Sequence, residues 1–247
     1  MTKILITGGC GFLGSHLCKR LLDNGDEVTC LDDLSTGSLD NIKSMIGRKG
    51  FTWCQEDVRG IDFEISDYDE IYNLACAASP KAYQDDPVRT MTTNVDGAQS
   101  VLETAIHSGG KVLQASTSEI YGEPLEHPQT EEYWGNVNPI GPRSCYDEGK
   151  RAAESLFTDY HRMYGTAVRI ARIFNTFGPN MAPDDGRVVS NFICQVIQGK
   201  QITIYGGKRF RVDHRVASQA TPLILMLHGF AGIHPQCHHW RAHRQRL

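Results

Sequence analysis

No Cys-x-x-Cys pair occurs among the eight cysteines, Cys10, Cys18, Cys30, Cys54, Cys76, Cys145, Cys194 and Cys237. The common zinc and dithiol frameworks are therefore missing, and thiols scattered through apolar runs read as buried groups in a reducing compartment. No apolar stretch nears the roughly 20 residues that cross a bilayer. Strand-like sequence begins at Lys3, which leaves no room for a leader, so a cytoplasmic location with no membrane partner is expected. A net charge of −4 argues against a nucleic-acid partner. Residues 222–229 look like the strand and oxyanion turn of an α/β-hydrolase, but no G-x-S-x-G elbow accompanies them. Internal repeats and low-complexity linkers are also absent. What remains is a chain of 247 residues, 40% hydrophobic, able to bury one large core with or without a smaller lobe.

The chain opens on a short β-branched run, Lys3–Thr7, followed by Gly8, Gly11 and Gly14 and then by helical spacing through Phe12, Leu13, Leu17, Leu21 and Leu22. Strand, glycine turn and helix in that order bring backbone and a helix N-terminus to a pyrophosphate, so Gly8, Gly11, Phe12, Leu13 and Gly14 are cofactor-binding candidates. The spacing is G-x-x-G-x-x-G, not G-x-G-x-x-G. A second strand, Glu27–Leu31, ends on Asp32 and Asp33, about 18 residues past the last glycine, where a carboxylate can hold ribose hydroxyls. With no arginine beside that pair in the sequence, NAD is expected over NADP; a solvated acidic turn is the plainer alternative. Ser35, Thr36 and Gly37 form a polar turn next to it. Strands are expected at 51–55, 69–75, 111–115 and 167–173, with Asp57 and Val58 at an adenine edge, and Leu74, Ala75 and Ala77 where small residues admit a dinucleotide. Helices are expected over Pro87–Ser108, carrying Asn94, over 142–164 and over 188–198, with a last strand at 202–205. The alternation predicts an α/β fold, a doubly wound parallel Rossmann sheet over residues 1–180, followed by a substrate lobe starting at 181–206.

The 111–115 strand delivers Ser116, Thr117, Ser118 and Glu119 to the sheet edge, although a turn and helix cap would use the same residues. Tyr146 and Lys150, four apart, share one face of the 142–164 helix. A tyrosine with an unperturbed pKa of about 10 is a poor base at neutral pH, and an adjacent ammonium favours its ionised form.

Taken together, the glycine turn, the Ser-Thr-Ser-Glu strand end and the Tyr-x-x-x-Lys pair make the chain resemble the extended short-chain dehydrogenase/reductases that modify nucleotide sugars. Within that superfamily, segments 115–122, 133–143, 145–150, 172–179 and 185–192 resemble the UDP-glucuronate decarboxylase (UDP-xylose synthase) family, a likeness covering residues 1 to about 206. The resemblance implies one bound NAD, the substrate UDP-glucuronate, and a homodimer built as a four-helix bundle from the two long helices. It also implies that Tyr146, assisted by Lys150 and Thr117, takes the proton of the sugar 4-hydroxyl as hydride leaves. The resulting 4-keto acid loses its β-carboxylate as carbon dioxide, carbon 5 is protonated, and the hydride returns to give UDP-xylose. Glu119 is implied in decarboxylation and protonation, and Ser118 as an orienting hydroxyl. Asn175 and Arg187, with Tyr83, Asn191 and Tyr205, are implied to hold the sugar nucleotide. A 4-epimerase, a 4,6-dehydratase and a non-catalytic NAD-binding remnant are the alternatives.

The likeness stops near Gly206. From Gly207 on, seven basic residues (Lys208, Arg209, Arg211, Arg215, Arg241, Arg244 and Arg246) face Asp213 alone, which gives +6 and leaves −10 for the remainder. Six of the ten histidines lie here, and His238, His239 and His243 have metal-like spacing without a recognised ligand framework, so no metal is expected. This basic segment, 207–247, reads as a departure from the family pattern. An incomplete substrate lobe, a mobile end and weak decarboxylation are expected from it.

Overall fold

The computed structural model describes residues 1–61 and 67–202. Compact units are Met1–Arg187 and a second beginning at Val188. The first holds a six-stranded, all-parallel sheet: β1 (Lys3–Thr7), β2 (Glu27–Leu31), β3 (Phe51–Cys54), β4 (Glu70–Asn73), β5 (Lys111–Thr117) and β6 (Val168–Ile173), in the order β3-β2-β1-β4-β5-β6. This is the doubly wound dinucleotide-binding order. Helices α1 (Phe12–Asp23), α2 (Pro80–Asp85), α3 (Pro87–Ser108) and α4 (Ser144–Tyr164) complete the unit. The described element of the second unit is α5 (Val188–Ile197), and residues 203–247, with the expected last strand and the basic segment, lie outside the described residues.

Alternation along β1 explains the two layers. Ile4 and Ile6 pack with Cys18 and Leu22 of α1 and with Ile42 and Met45. Leu5 points the other way, into a cluster with Ile71, Val101, Leu102, Val112, Ala153 and Phe157. A strand covered on both faces reads as a continuous apolar run, as β1 does. Each fully buried aliphatic or aromatic side chain contributes about 1.5–3 kcal/mol of transfer free energy.

Strand ends differ from the sequence expectation. β4 begins at Glu70; Asp69 before it pairs through its backbone with Lys3 at 2.9 Å and Lys111 at 3.0 Å, and its carboxylate accepts the Lys3 N–H at 2.8 Å. β5 runs two residues past Ala115 because Ser116 and Thr117 pair in register with Arg172 and Ile173 of β6. Short α2 was not anticipated; Ser79 caps it and Pro80 opens it, but six residues carry no apolar stripe. α3 and α4 approach closely where Gly149 faces Asn94: a Cβ on Gly149 would sit 3.0 Å from the Asn94 Cβ.

Candidate active site

β1 ends in a turn that requires glycine. Gly8 has φ +70°, and a Cβ there would lie 2.7 Å from the Leu74 carbonyl; a Cβ on Gly14 would lie 2.1 Å from the Gly8 oxygen. Beyond the turn, Gly11 precedes α1 and offers it no capping side chain, and the first turn of α1 holds no acid, whereas Ser79 caps α2 and Asp86 caps α3. An uncapped helix N-terminus behind a close-approach glycine turn suits a pyrophosphate. Phe12 and Leu13 form the first turn of α1, with Phe12 against Gly178 of the loop after β6. That loop is tied down by His16 to the Pro179 carbonyl at 2.9 Å and by Asn180, which donates to Ser15 Oγ at 3.0 Å.

A cleft of about 440 Å³ runs from this turn along the carboxyl ends of the strands, lined among others by Gly8, Gly11, Asp32, Asp33, Ser35, Thr36, Val58, Leu74, Ala75 and Ala77. Asp32 is buried, and its carboxylate accepts the Cys10 and Leu34 N–H groups, each at 2.9 Å. Burial raises its pKa above the ordinary aspartate value, against the pull of those two hydrogen bonds. Gly37 lets the following turn close on that carboxylate, since a Cβ there would be 2.8 Å from Asp32 Oδ1. Asp57 is taken up by Arg59, whose Nη2 lies 2.6 Å from it, and this pairing lowers the Asp57 pKa. An arginine does stand beside the acidic pair: Arg89, from the first turn of α3, donates to Asp33 at 2.6 Å. Sequence order hides this contact, which spans 56 residues.

At the other end of the sheet, α4 carries Tyr146 and Lys150, both buried. Lys150 Nζ donates to the Ala115 carbonyl at 2.9 Å and lies 5.9 Å from the Tyr146 ring centroid. Burial raises the Tyr146 pKa above that of a free tyrosine, and so does Cys76 beside it; a hydrogen bond from Thr117 and the charge of Arg187 oppose the rise. Thr117 Oγ1 also accepts the Glu119 N–H at 3.2 Å, which starts the short 3-10 turn Ser118–Tyr121. The Glu119 carboxylate is paired with Arg143, at the N-terminus of α4. Behind this strand end Glu154 accepts from Ser116 Oγ at 2.5 Å and from Arg172 Nη2 at 2.8 Å, and Arg172 also donates to the Tyr121 hydroxyl at 3.0 Å.

Thr117 from β5, Glu119 from the turn after it, and Tyr146 and Lys150 from α4 are thus brought to the end of β5. Asn94 is buried against Gly149 and donates to the Thr90 carbonyl at 2.9 Å. Tyr83 is buried behind Tyr146, not open to the cleft: the two rings stack. Arg187 makes a bidentate pair with Asp185, while Asn175 is exposed in the loop after β6. Asn191 belongs to α5 of the second unit, and Tyr205 lies outside the described residues. Sequence reasoning missed Arg89 and passed over any separate role for Arg143; a lone arginine at a helix start carries no signal until its carboxylate partner is known.

Three comparisons place this geometry among known proteins. The chain is 55% identical over 203 residues to UDP-glucuronic acid decarboxylase 6 of Arabidopsis thaliana, covering 82% of this chain and 59% of that protein. It is 49% identical over 226 residues to UDP-glucuronic acid decarboxylase 1 of Xenopus tropicalis, covering 91% and 53%. The chain therefore spans somewhat more than half the length of these relatives. Among solved structures, the UDP-glucuronic acid 4-epimerase of Bacillus cereus, in complex with UDP-glucuronic acid and NAD, superposes with a TM-score of 0.72 at 31% identity, covering 83% of this chain and 66% of that one. A family model matches residues 4–228, and the chain belongs to the NAD dependent epimerase/dehydratase family.

Proposed function

We propose that this chain uses NAD to decarboxylate UDP-glucuronate to UDP-xylose through a 4-keto intermediate. The observation that carries the reading is the convergence of buried Tyr146 and Lys150 with Thr117 and Glu119 at the end of β5. The names of the relatives, decarboxylases at 49–55% identity, support the same choice. The cleft residues fit the cofactor, with the glycine turn and α1 for its pyrophosphate and Asp32 for a ribose. NAD, when bound, supplies a reversible hydride acceptor and a positive ring charge.

Tyr146 is the base for the sugar 4-hydroxyl. Burial makes it a weaker acid than free tyrosine, opposed by Thr117 and the charge of Arg187, and Lys150 Nζ stands 5.9 Å from its ring as a further cation to favour the ionised form. Thr117 donates to the developing phenolate and fixes its direction. Once carbon 4 is a ketone, the carboxylate on carbon 5 is β to it, and carbon dioxide leaves with its electron pair delocalised into an enolate. Glu119, held by Arg143 beside this site, serves the reprotonation of carbon 5. Asn175 and Arg187 hold the nucleotide sugar. A homodimer through the outer faces of α3 and α4 belongs to this reading, supported by exposed Val88, Ile106, Met163 and Tyr164 on those helices. So does a cytoplasmic location, supported by the free cysteines among the described residues.

The test is incubation with UDP-glucuronate and NAD, following carbon dioxide and UDP-xylose. Epimerisation is the second reading, favoured by the Bacillus cereus likeness. UDP-galacturonate formed without carbon dioxide would replace decarboxylation with it.

A further inference from the structure

We infer that Asp33 and Arg89 together decide which dinucleotide the cleft accepts, with Asp33 occupying the guanidinium that would otherwise receive a 2′-phosphate on the adenosine ribose. The inference rests on the cleft being the NAD site proposed above.

Both residues line the cleft, beside Ser35 and Thr36 of the turn after β2. Arg89 Nη2 donates to Asp33 Oδ2 at 2.6 Å, while Asp33 Oδ1 accepts the Ser35 N–H at 2.8 Å, so the carboxylate is oriented from the backbone and its second oxygen faces the arginine. The Arg89 side chain is 42% exposed and therefore reachable by a ligand. Its other acidic neighbour, Asp57, stands off at 3.6 Å and is already engaged by Arg59 at 2.6 Å. Arg59 is committed in turn, since it also donates to Thr92 Oγ1 at 3.0 Å. Arg89 is thus the cation at this end of the cleft whose main partner is one replaceable carboxylate.

A guanidinium is the side chain best shaped to take a phosphate, and an arginine near the acidic strand end is how related folds accommodate the 2′-phosphate of NADP. Here the arginine is present but neutralised. With Asp32 next to it, Asp33 also adds repulsion toward a phosphate dianion. Asp32, whose oxygens are bound by two backbone N–H groups, supports the turn in either case. Selectivity against NADP therefore lies in the Asp33–Arg89 pair, and removing one negative charge should expose a latent 2′-phosphate site.

Asp33→Asn tests this, because the amide oxygen keeps the acceptor for the Ser35 N–H while losing the charge. Calorimetry with ADP and 2′,5′-ADP on the full chain reads the ribose site without nicotinamide or turnover, and NAD and NADP repeat it. Unsubstituted protein should favour ADP over 2′,5′-ADP. Asp33→Asn should shift the ratio of 2′,5′-ADP to ADP affinity at least about tenfold toward 2′,5′-ADP, the scale of a freed charge-assisted hydrogen bond. Asp33→Asn with Arg89→Gln should lose the gain. If Asp33→Asn does not fold, Asp33→Ser, whose hydroxyl also accepts the Ser35 N–H, reads the same ratio. An unchanged ratio in the single variant, or a gain that survives loss of Arg89, would overturn the inference while leaving NAD binding intact. Failure of the unsubstituted protein to bind either nucleotide would overturn it together with the reading of the cleft.

Discussion

Tyr83 and Tyr146 lie face to face, their ring centroids 4.9 Å apart and their planes 10° from parallel. The pair joins short α2 to α4 and fixes the plane of the Tyr146 ring. Stacking of this kind is worth about 0.5–1.5 kcal/mol beyond area burial. The Tyr83 hydroxyl is buried without a hydrogen-bond partner among the described residues. Tyr83→Phe should therefore be as stable as the unsubstituted chain or more so, by up to about 1 kcal/mol, whereas Tyr83→Ala should lose about 3–5 kcal/mol. Urea midpoints decide it, and a clearly destabilised Tyr83→Phe would count against the unpartnered hydroxyl.

Tyr146→Phe keeps the ring and its stacking but removes the hydroxyl proposed as the base. Turnover of UDP-glucuronate should vanish while NAD affinity stays nearly the same. Coupled single-turnover assays and calorimetry read the two separately. Retained turnover in this variant would remove Tyr146 as the base.

Arg143 contacts Glu119 and stands 3.6 Å from Asp147, so one guanidinium ties the end of β5 to the start of α4. Arg143→Ala should release Glu119 and let it drift. Misplacement of about 1 Å can cost on the order of a hundredfold in rate, and a fall in kcat of that size is expected with NAD affinity little changed. An unaltered kcat would show that Glu119 is positioned by something else.

Asp32 gives a pH dependence whose sign follows from its burial. Its folded pKa lies above the ordinary aspartate value of about 3.9. Only the ionised carboxylate has its full set of acceptors for ribose hydroxyls, so protonation weakens binding. NAD affinity should fall as the pH drops through a midpoint above about 3.9, higher than an exposed aspartate would give. Titrating Kd against pH checks this, and Asp32→Asn should show a lower, flatter profile. A midpoint at or below the ordinary value would assign the dependence to another group.

Elements whose signals are local were legible in the sequence. β1 and β2 were read to the residue, because each is an apolar run closed by glycine or aspartate. α3 was read end to end: Pro87 stands at its first turn, and Gly109 in a left-handed conformation ends it. The unread features are pairings across the fold. Asp33 with Arg89, Glu119 with Arg143 and Tyr83 with Tyr146 each join residues from different elements. No window of sequence contains both partners, and an arginine or tyrosine alone reads as a solvated or core residue. Tyr83 shows the effect: expected among the residues that hold the substrate, it is buried and stacked on Tyr146, a contact no stretch of sequence displays.

The sheet order also dictates when the molecule can take shape during synthesis. β1 precedes β2 and β4 in the chain, yet it sits inside the sheet between them. Its β2 side can be satisfied as soon as Glu27–Leu31 emerges, but its other side stays unpaired until Glu70–Asn73 arrives. Parallel pairing over such separations is slow, and an open strand edge invites pairing with another chain. The nascent protein therefore passes through a stage with three strands in which β1 presents an edge that the folded sheet covers. In that stage its solubility rests on how quickly β4 reaches the ribosome exit.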